Sequence, residues 1–217
     1  MFSGNRALLL SISVTGKAGI KMANKLNQDA LDVLFHKARS RNAWSDKPIA
    51  LDVLEQIYEA VSLGPTSMNC SPARFLFLVS KEAKERLAPH LMEGNRVKTL
   101  AAPCVAVIAY DSAFYEKMPQ LFPVREGIRD MFHGNQELAK ATAFRNGTLQ
   151  GAYLMMAARA HGLDCGPMSG FNNAGVDEEF FVGTTIKSNF LCSLGYAVDT
   201  PFPRLPRLSF DDASSVL

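Results

Sequence analysis

Apolar residues recur along this chain first at helical spacing and then in unbroken runs. Over residues 29–40, Leu31, Leu34, Phe35 and Ala38 fall on one helical face, with Asn27 or Asp29 available as a cap. Leu51, Leu54, Ile57, Tyr58 and Val61 repeat that spacing over residues 50–63, and Gly64-Pro65 ends the helix. The period then changes. Residues 75–79 and 104–110 are continuous apolar runs without a polar face, the reading for strands buried on both sides, and the polar residues 81–91 between them predict a helix. Residues 111–135 mix aromatics, prolines and charges without a steady period, which predicts a mobile excursion or lid. Residues 136–161 predict one long helix closed by Gly162, residues 190–196 a third strand, and residues 211–217 a short terminal helix.

With 47% hydrophobic residues, the 217-residue chain can bury one core, and a single domain over residues 22–217 is expected. A net charge of +2, with the basic residues scattered, argues against a nucleic-acid surface, and no apolar run is long enough to span a bilayer. Cys70, Cys104, Cys165 and Cys192 contain no C-x-x-C pair, so neither a disulfide framework nor a zinc site is expected; reduced thiols in the cytoplasm fit better. Cys104 and Cys192 sit in strand runs and are expected to be buried. Arg6 and the apolar residues 8–14 imitate a signal peptide, but the stretch is short and broken by serines, so residues 1–21 are read as a disordered extension ahead of a start at Met22. The four histidines lack metal-ligand spacing, no G-x-G-x-x-G follows a strand, and no G-x-S-x-G is present.

Three clusters and a tail carry candidate chemistry. Residues 65–75, P-T-S-M-N-C-S-P-A-R-F, deliver a hydroxyl- and amide-rich turn into a strand, where Ser67, Asn69 and Ser71 offer more donors and acceptors than a plain connection needs. Arg39-Ser40-Arg41-Asn42 places two guanidinium groups and a hydroxyl at a helix end, a combination that grips phosphate or simply meets the helix dipole. Residues 162–171, G-L-D-C-G-P-M-S-G-F, hold an irregular backbone whose N–H groups either face a ligand or make an ordinary helix exit. Arg204 and Arg207 in R-L-P-R-L-S-F form a further basic pair, for a ligand or for solvent.

Taken in order, these segments resemble the FMN-dependent nitroreductase family, over nearly the whole chain after Met22. The first is similar to P-S-x-x-N-x-Q-P-W-x-F, with Ser71 and Ala73 at the Gln and Trp positions; the third is similar to G-x-x-x-x-P-x-E-G-F, with Ser169 for Glu. At the first helix the family has R-x-S-x-R/K-x-F, where this chain has Asn42 at the second basic position; in the family's C-terminal K-x-R pair, Arg204 matches the Arg and Phe202 stands for the Lys. The runs A-R-S-R-N-A-W, F-R-N-G-T-L-Q-G-A-Y-L and R-L-P-R-L-S-F, with the Ser and Ala departures, look like the malonic semialdehyde reductase branch.

The resemblance implies a three-layer α+β fold, a central mixed sheet flanked by helices, and a homodimer with FMN at its interface. It implies cofactor contacts from Arg39, Ser40, Arg41, Asn69, Ser169, Gly170, Arg204 and Arg207, with NADH or NADPH as donor. The implied reaction is reduction of 3-oxopropanoate to 3-hydroxypropanoate in pyrimidine breakdown, the alternatives being a general nitro or quinone reductase and a non-catalytic flavin-binding module. A short acid substrate needs a cation for its carboxylate; Arg74, Arg125 and Arg129 are the candidates.

Overall fold

The computed structural model describes residues 24–198 and 202–217; the expected extension over residues 1–21 and the start at Met22 lie outside them. A short helix α1 (Gln28–Leu31) runs directly into a π-helical segment (Asp32–His36). There follow α2 (Leu51–Ser62), β1 (Ala73–Leu78), α3 (Lys81–Leu87), α4 (Glu93–Leu100) and β2 (Cys104–Asp111). Then come α5 (Met118–Leu121), α6 (Ile128–His133), α7 (Gln136–Ala160), β3 (Asp164–Met168), α8 (Asn173–Phe181), β4 (Ile186–Gly195) and α9 (Phe210–Ala213).

The strands form one sheet in the order β1-β2-β4-β3, so β1 and β3 are its two edges. Among the described residues all three strand pairings are antiparallel and parallel pairing occurs only at the isolated bridge between Ser40 and Cys165, which narrows the mixed sheet expected from the resemblance. One face, through Cys104, Ala106, Ile108, Cys192 and Leu194, packs on α2 and α7. The other, through Val105, Val107, Ala109 and Leu191, packs on residues of α3 and α8 and on Trp44. These are the three layers. The unbroken apolar runs of β2 and β4 follow from being covered on both sides.

Residues 111–135 are not the loose excursion their mixed pattern predicts. Phe114, Tyr115, Met118, Ile128 and Phe132 close on one another and on Cys70, Ala139 and Ala143 as a separate buried cluster. Conversely, the apolar spacing over residues 29–40 is real but buries no residue, and Phe35 is 53% exposed. Within the described residues this helix has no neighbour broad enough to cover it. No helix among them is long and apolar enough to cross a membrane.

Candidate functional site

The π-helical segment ends with carbonyls that no following turn satisfies, and arginines fill that role. Arg204 donates through Nη2 to the carbonyls of Phe35 (2.6 Å), His36 (2.9 Å) and Ala38 (3.2 Å). Arg39 Nη1 donates to the same His36 and Ala38 carbonyls, at 3.0 and 2.8 Å. A third guanidinium, that of Arg159 near the end of α7, reaches the Leu34 carbonyl at 3.0 Å. Carbonyl dipoles at a helix C-terminus explain how like charges are held together. Burial, and then the charges of Arg39, Arg207 and Arg159, hold the Arg204 guanidinium below its ordinary pKa.

Arg39, Arg159, Lys37, Gly162, Leu163 and Asp164 line a cleft of about 220 Å³. Its two carboxylates are already engaged: Asp32 with Lys37 at 2.6 Å, and Asp164 with Arg41 Nε at 3.2 Å. Arg39, Arg159 and Arg204 have no carboxylate partner among the described residues, and the buried Arg39 Nε has no acceptor. The chemistry of such a site is anion binding, and a flavin phosphate fits it. Arg41 serves differently: besides Asp164, its backbone N–H donates to the Cys165 carbonyl at 3.0 Å, stitching this segment to β3.

Asn69 lies elsewhere, in the loop ahead of β1. Met68, Asn69 and Ser71 all have positive φ (50°, 53° and 37°), strain that the loop's anchors sustain. Two buried amides on α7 supply those anchors: Asn146 Oδ1 accepts from the Ser67 N–H at 2.8 Å, and Gln150 Oε1 from the Ala73 N–H at 2.9 Å. Asn69 Nδ2 donates to the Leu121 carbonyl at 2.8 Å, tying the loop to the end of α5. Ser169 and Gly170 follow β3, where the Gly170 carbonyl accepts from the Met92 N–H (3.1 Å) and Asn95 Nδ2 (3.0 Å). Their own N–H groups are not spent on any loop hydrogen bond among the described residues.

The chain therefore brings Arg39 and Arg204 together, with Arg207 close enough to be felt and Ser40 adjacent in sequence. It keeps Asn69 apart from them: the Asn69 loop leaves one edge of the sheet and the arginines sit beside the other, roughly 14 Å away across three strand spacings. Of the three candidate carboxylate contacts, Arg74 pairs with Asp111 at 2.8 Å and Arg129 with Glu116 at 2.9 Å and Asp130 at 2.8 Å. Glu116 and then Asp130 raise the Arg129 pKa above its ordinary value. Arg125 is exposed and has no ion-pair partner among the described residues. Arg159, Asn146 and Gln150 escaped the sequence reading, although amides at i and i+4 and an arginine in a run of small residues were visible.

A family model described as the nitroreductase family matches residues 37–196. The chain belongs to the nitroreductase family. A protein of Stenotrophomonas maltophilia, provisionally named an NADH dehydrogenase/NAD(P)H nitroreductase, is 55% identical over 196 residues, covering 90% of this chain and all of its own. Among solved structures, a provisionally assigned nitroreductase of Exiguobacterium sibiricum, in complex with FMN, superposes with a TM-score of 0.76 at 24% identity over 89% of this chain and 100% of its own. One from Bacillus subtilis gives 0.77 at 18% identity over 88% and 100%. The two superpositions fix the fold, and the family model fixes the membership.

Proposed function

We propose that this nitroreductase-family member is an FMN-dependent NAD(P)H oxidoreductase that reduces a short semialdehyde acid, 3-oxopropanoate, to 3-hydroxypropanoate in cytoplasmic pyrimidine breakdown. Family membership and the relatives' names support the coarser part, an NAD(P)H-dependent oxidoreductase of the nitroreductase type. The observation that carries the cofactor assignment is the carbonyl-held arginine cluster with its orphaned, buried Arg39 Nε. Arg39, Ser40, Arg204 and Arg207 would hold the phosphate, and the Ser169 and Gly170 N–H groups would face the ring. A flavin held there would supply hydride chemistry between nicotinamide and acceptor, the overall change being aldehyde, NAD(P)H and one proton to alcohol and NAD(P)+.

A second copy of the chain completes the site in this reading. Asn69 and the arginine cluster belong to opposite sheet edges of one protomer, so a flavin touching both would take one from each of two copies. The exposed apolar side chains Phe35, Phe144, Phe202 and Leu205 suit burial in such a homodimer. Sedimentation of the flavin-loaded protein as a monomer would refute it.

The specific acceptor rests on the sequence runs shared with the malonic semialdehyde reductase branch and on Arg125, the candidate cation not already committed to a carboxylate. The relatives' names favour a second reading, a general nitro or quinone reductase. Steady-state NAD(P)H oxidation with 3-oxopropanoate, a neutral aldehyde, a quinone and a nitroarene separates them. The proposal expects 3-oxopropanoate to lead in kcat/KM by at least about tenfold. Equal or better turnover of the nitroarene selects the general reductase. Bound flavin without oxidation by any acceptor leaves a flavin-binding module.

A further inference from the structure

Arg159 belongs to none of the motifs that mark the site, yet it occupies the same carbonyl row as Arg39 and Arg204. Its Nη1 donates to Leu34, one residue before the first carbonyl taken by Arg204, and its side chain lines the cleft beside Arg39. The cleft carboxylates cannot neutralise it, since Asp32 is matched by Lys37 and Asp164 by Arg41. Its positive charge reaches Arg204 and also the Cys165 thiol in β3. A guanidinium has five N–H donors, and the Leu34 bond engages one nitrogen, leaving donors for a second acceptor.

We infer that Arg159 is a further phosphate-binding residue and makes the protein select a phosphorylated flavin over the unphosphorylated ring. The inference rests on the cofactor reading above. A phosphate monoester carries nearly two negative charges and several acceptor oxygens, so it offsets the repulsion that the carbonyl row alone must hold in the free protein. Arg159 reaches the site from α7, a long helix with many buried residues, whereas Arg204 and Arg207 reach it from an exposed tail. Anchorage on α7 gives the cluster its fixed point.

The test titrates flavin-free protein with FMN and with riboflavin, following flavin fluorescence, for the wild type, Arg159→Met, Arg159→Lys and Arg39→Met. Arg159→Met should weaken FMN about tenfold or more, the loss of a charge-assisted contact, and leave riboflavin within about twofold. Arg159→Lys should lose part of the selectivity, because it keeps the charge but not the fork. Inorganic phosphate should compete with FMN less well in either variant than in the wild type. Equal losses of FMN and riboflavin, or unchanged selectivity, would overturn the inference. If Arg159→Met does not fold, the selectivity and phosphate competition of Arg159→Lys decide in the same way. Should Arg39→Met lose selectivity while the Arg159 variants keep it, the cofactor reading stands and this inference fails; a wild type that binds riboflavin as tightly as FMN removes the cofactor reading itself.

Discussion

Arg74 and Asp111 meet at 2.8 Å across the β1–β2 pair, where the loop carrying Asn69 enters the sheet. Arg74 also donates to the carbonyls of Ser71, Pro72 and Ala73, while Asp111 accepts from the Ala113 N–H and the Thr185 hydroxyl. The pair ties the strained loop to the sheet, a task that competes with holding a substrate carboxylate. Arg74→Ala should cost about 1–2 kcal/mol of stability, discounted because the Arg74 side chain is 33% exposed. Its kcat/KM should fall equally for 3-oxopropanoate and for a neutral aldehyde. Urea unfolding beside the two rate profiles checks this; a selective loss on the acid would return Arg74 to the substrate.

Arg125→Ala should behave oppositely. With FMN retained, kcat/KM for 3-oxopropanoate should drop roughly tenfold or more, corresponding to about 1.5–3 kcal/mol for a charge-assisted hydrogen bond, and the neutral aldehyde should be almost unaffected. Matched losses on the two substrates would mean that Arg125 does not meet the carboxylate.

Periodicity gave α2, β1, β2 and α7 nearly at their observed bounds, because each is long enough for its spacing to show; it found β4 but began it at residue 190, four residues after its observed start at Ile186. It missed β3, whose Asp164-Cys165-Gly166-Pro167-Met168 is poor strand material; the segment is held as an edge by pairing with β4, where Pro167 is tolerated. It also missed α4, a polar E-G-N-R-V-K-T-L with little apolar pattern, and the fold of residues 111–135, whose helical pieces are too short to set a period. Within the candidate site, the chemistry of Arg39 and Arg204 was legible residue by residue. Their convergence on the His36 and Ala38 carbonyls was not, because it depends on a π-helical ending that no local pattern announces.

Gly166 follows Cys165, the β3 residue bridged to Ser40 in the arginine segment. A Cβ there would lie 2.6 Å from the Arg41 carbonyl oxygen and 3.1 Å from the Trp44 ring, and a backbone oxygen cannot rotate aside. Gly166→Ala should therefore cost about 1–3 kcal/mol and weaken FMN binding by displacing the chain next to Arg39. Gly94→Ala, in α4 with nothing within 4 Å of its Cβ, is the control and should stabilise by up to about 1 kcal/mol. Thermal melts and flavin titrations of the two variants check the contrast; unchanged flavin affinity in Gly166→Ala would disconnect β3 from the site.

Buried thiols give the protein an alkaline limit. Burial pushes the Cys104 thiol up to about 12 and the Cys70 thiol up to about 11, against an ordinary value of 9.0. Below that ordinary value both folded and unfolded chains keep these protons, and the thiols' full contribution is present. As pH rises past it, the unfolded chain releases protons that the folded chain retains, so each thiol lowers stability by about 1.4 kcal/mol per pH unit until its folded pKa is approached. Cys104→Ala removes one of the two. At pH 8 the variant should be the less stable protein, because a buried side chain has been trimmed; between about pH 9.5 and 10.5 its deficit should shrink by about 1.4 kcal/mol. Every other ionisable group is common to both proteins and cancels in the difference. Urea unfolding of the pair at pH 8, 9.5 and 10.5 measures that difference, and a deficit that stays constant across the series would mean that the Cys104 thiol ionises in the folded protein as readily as in the unfolded one.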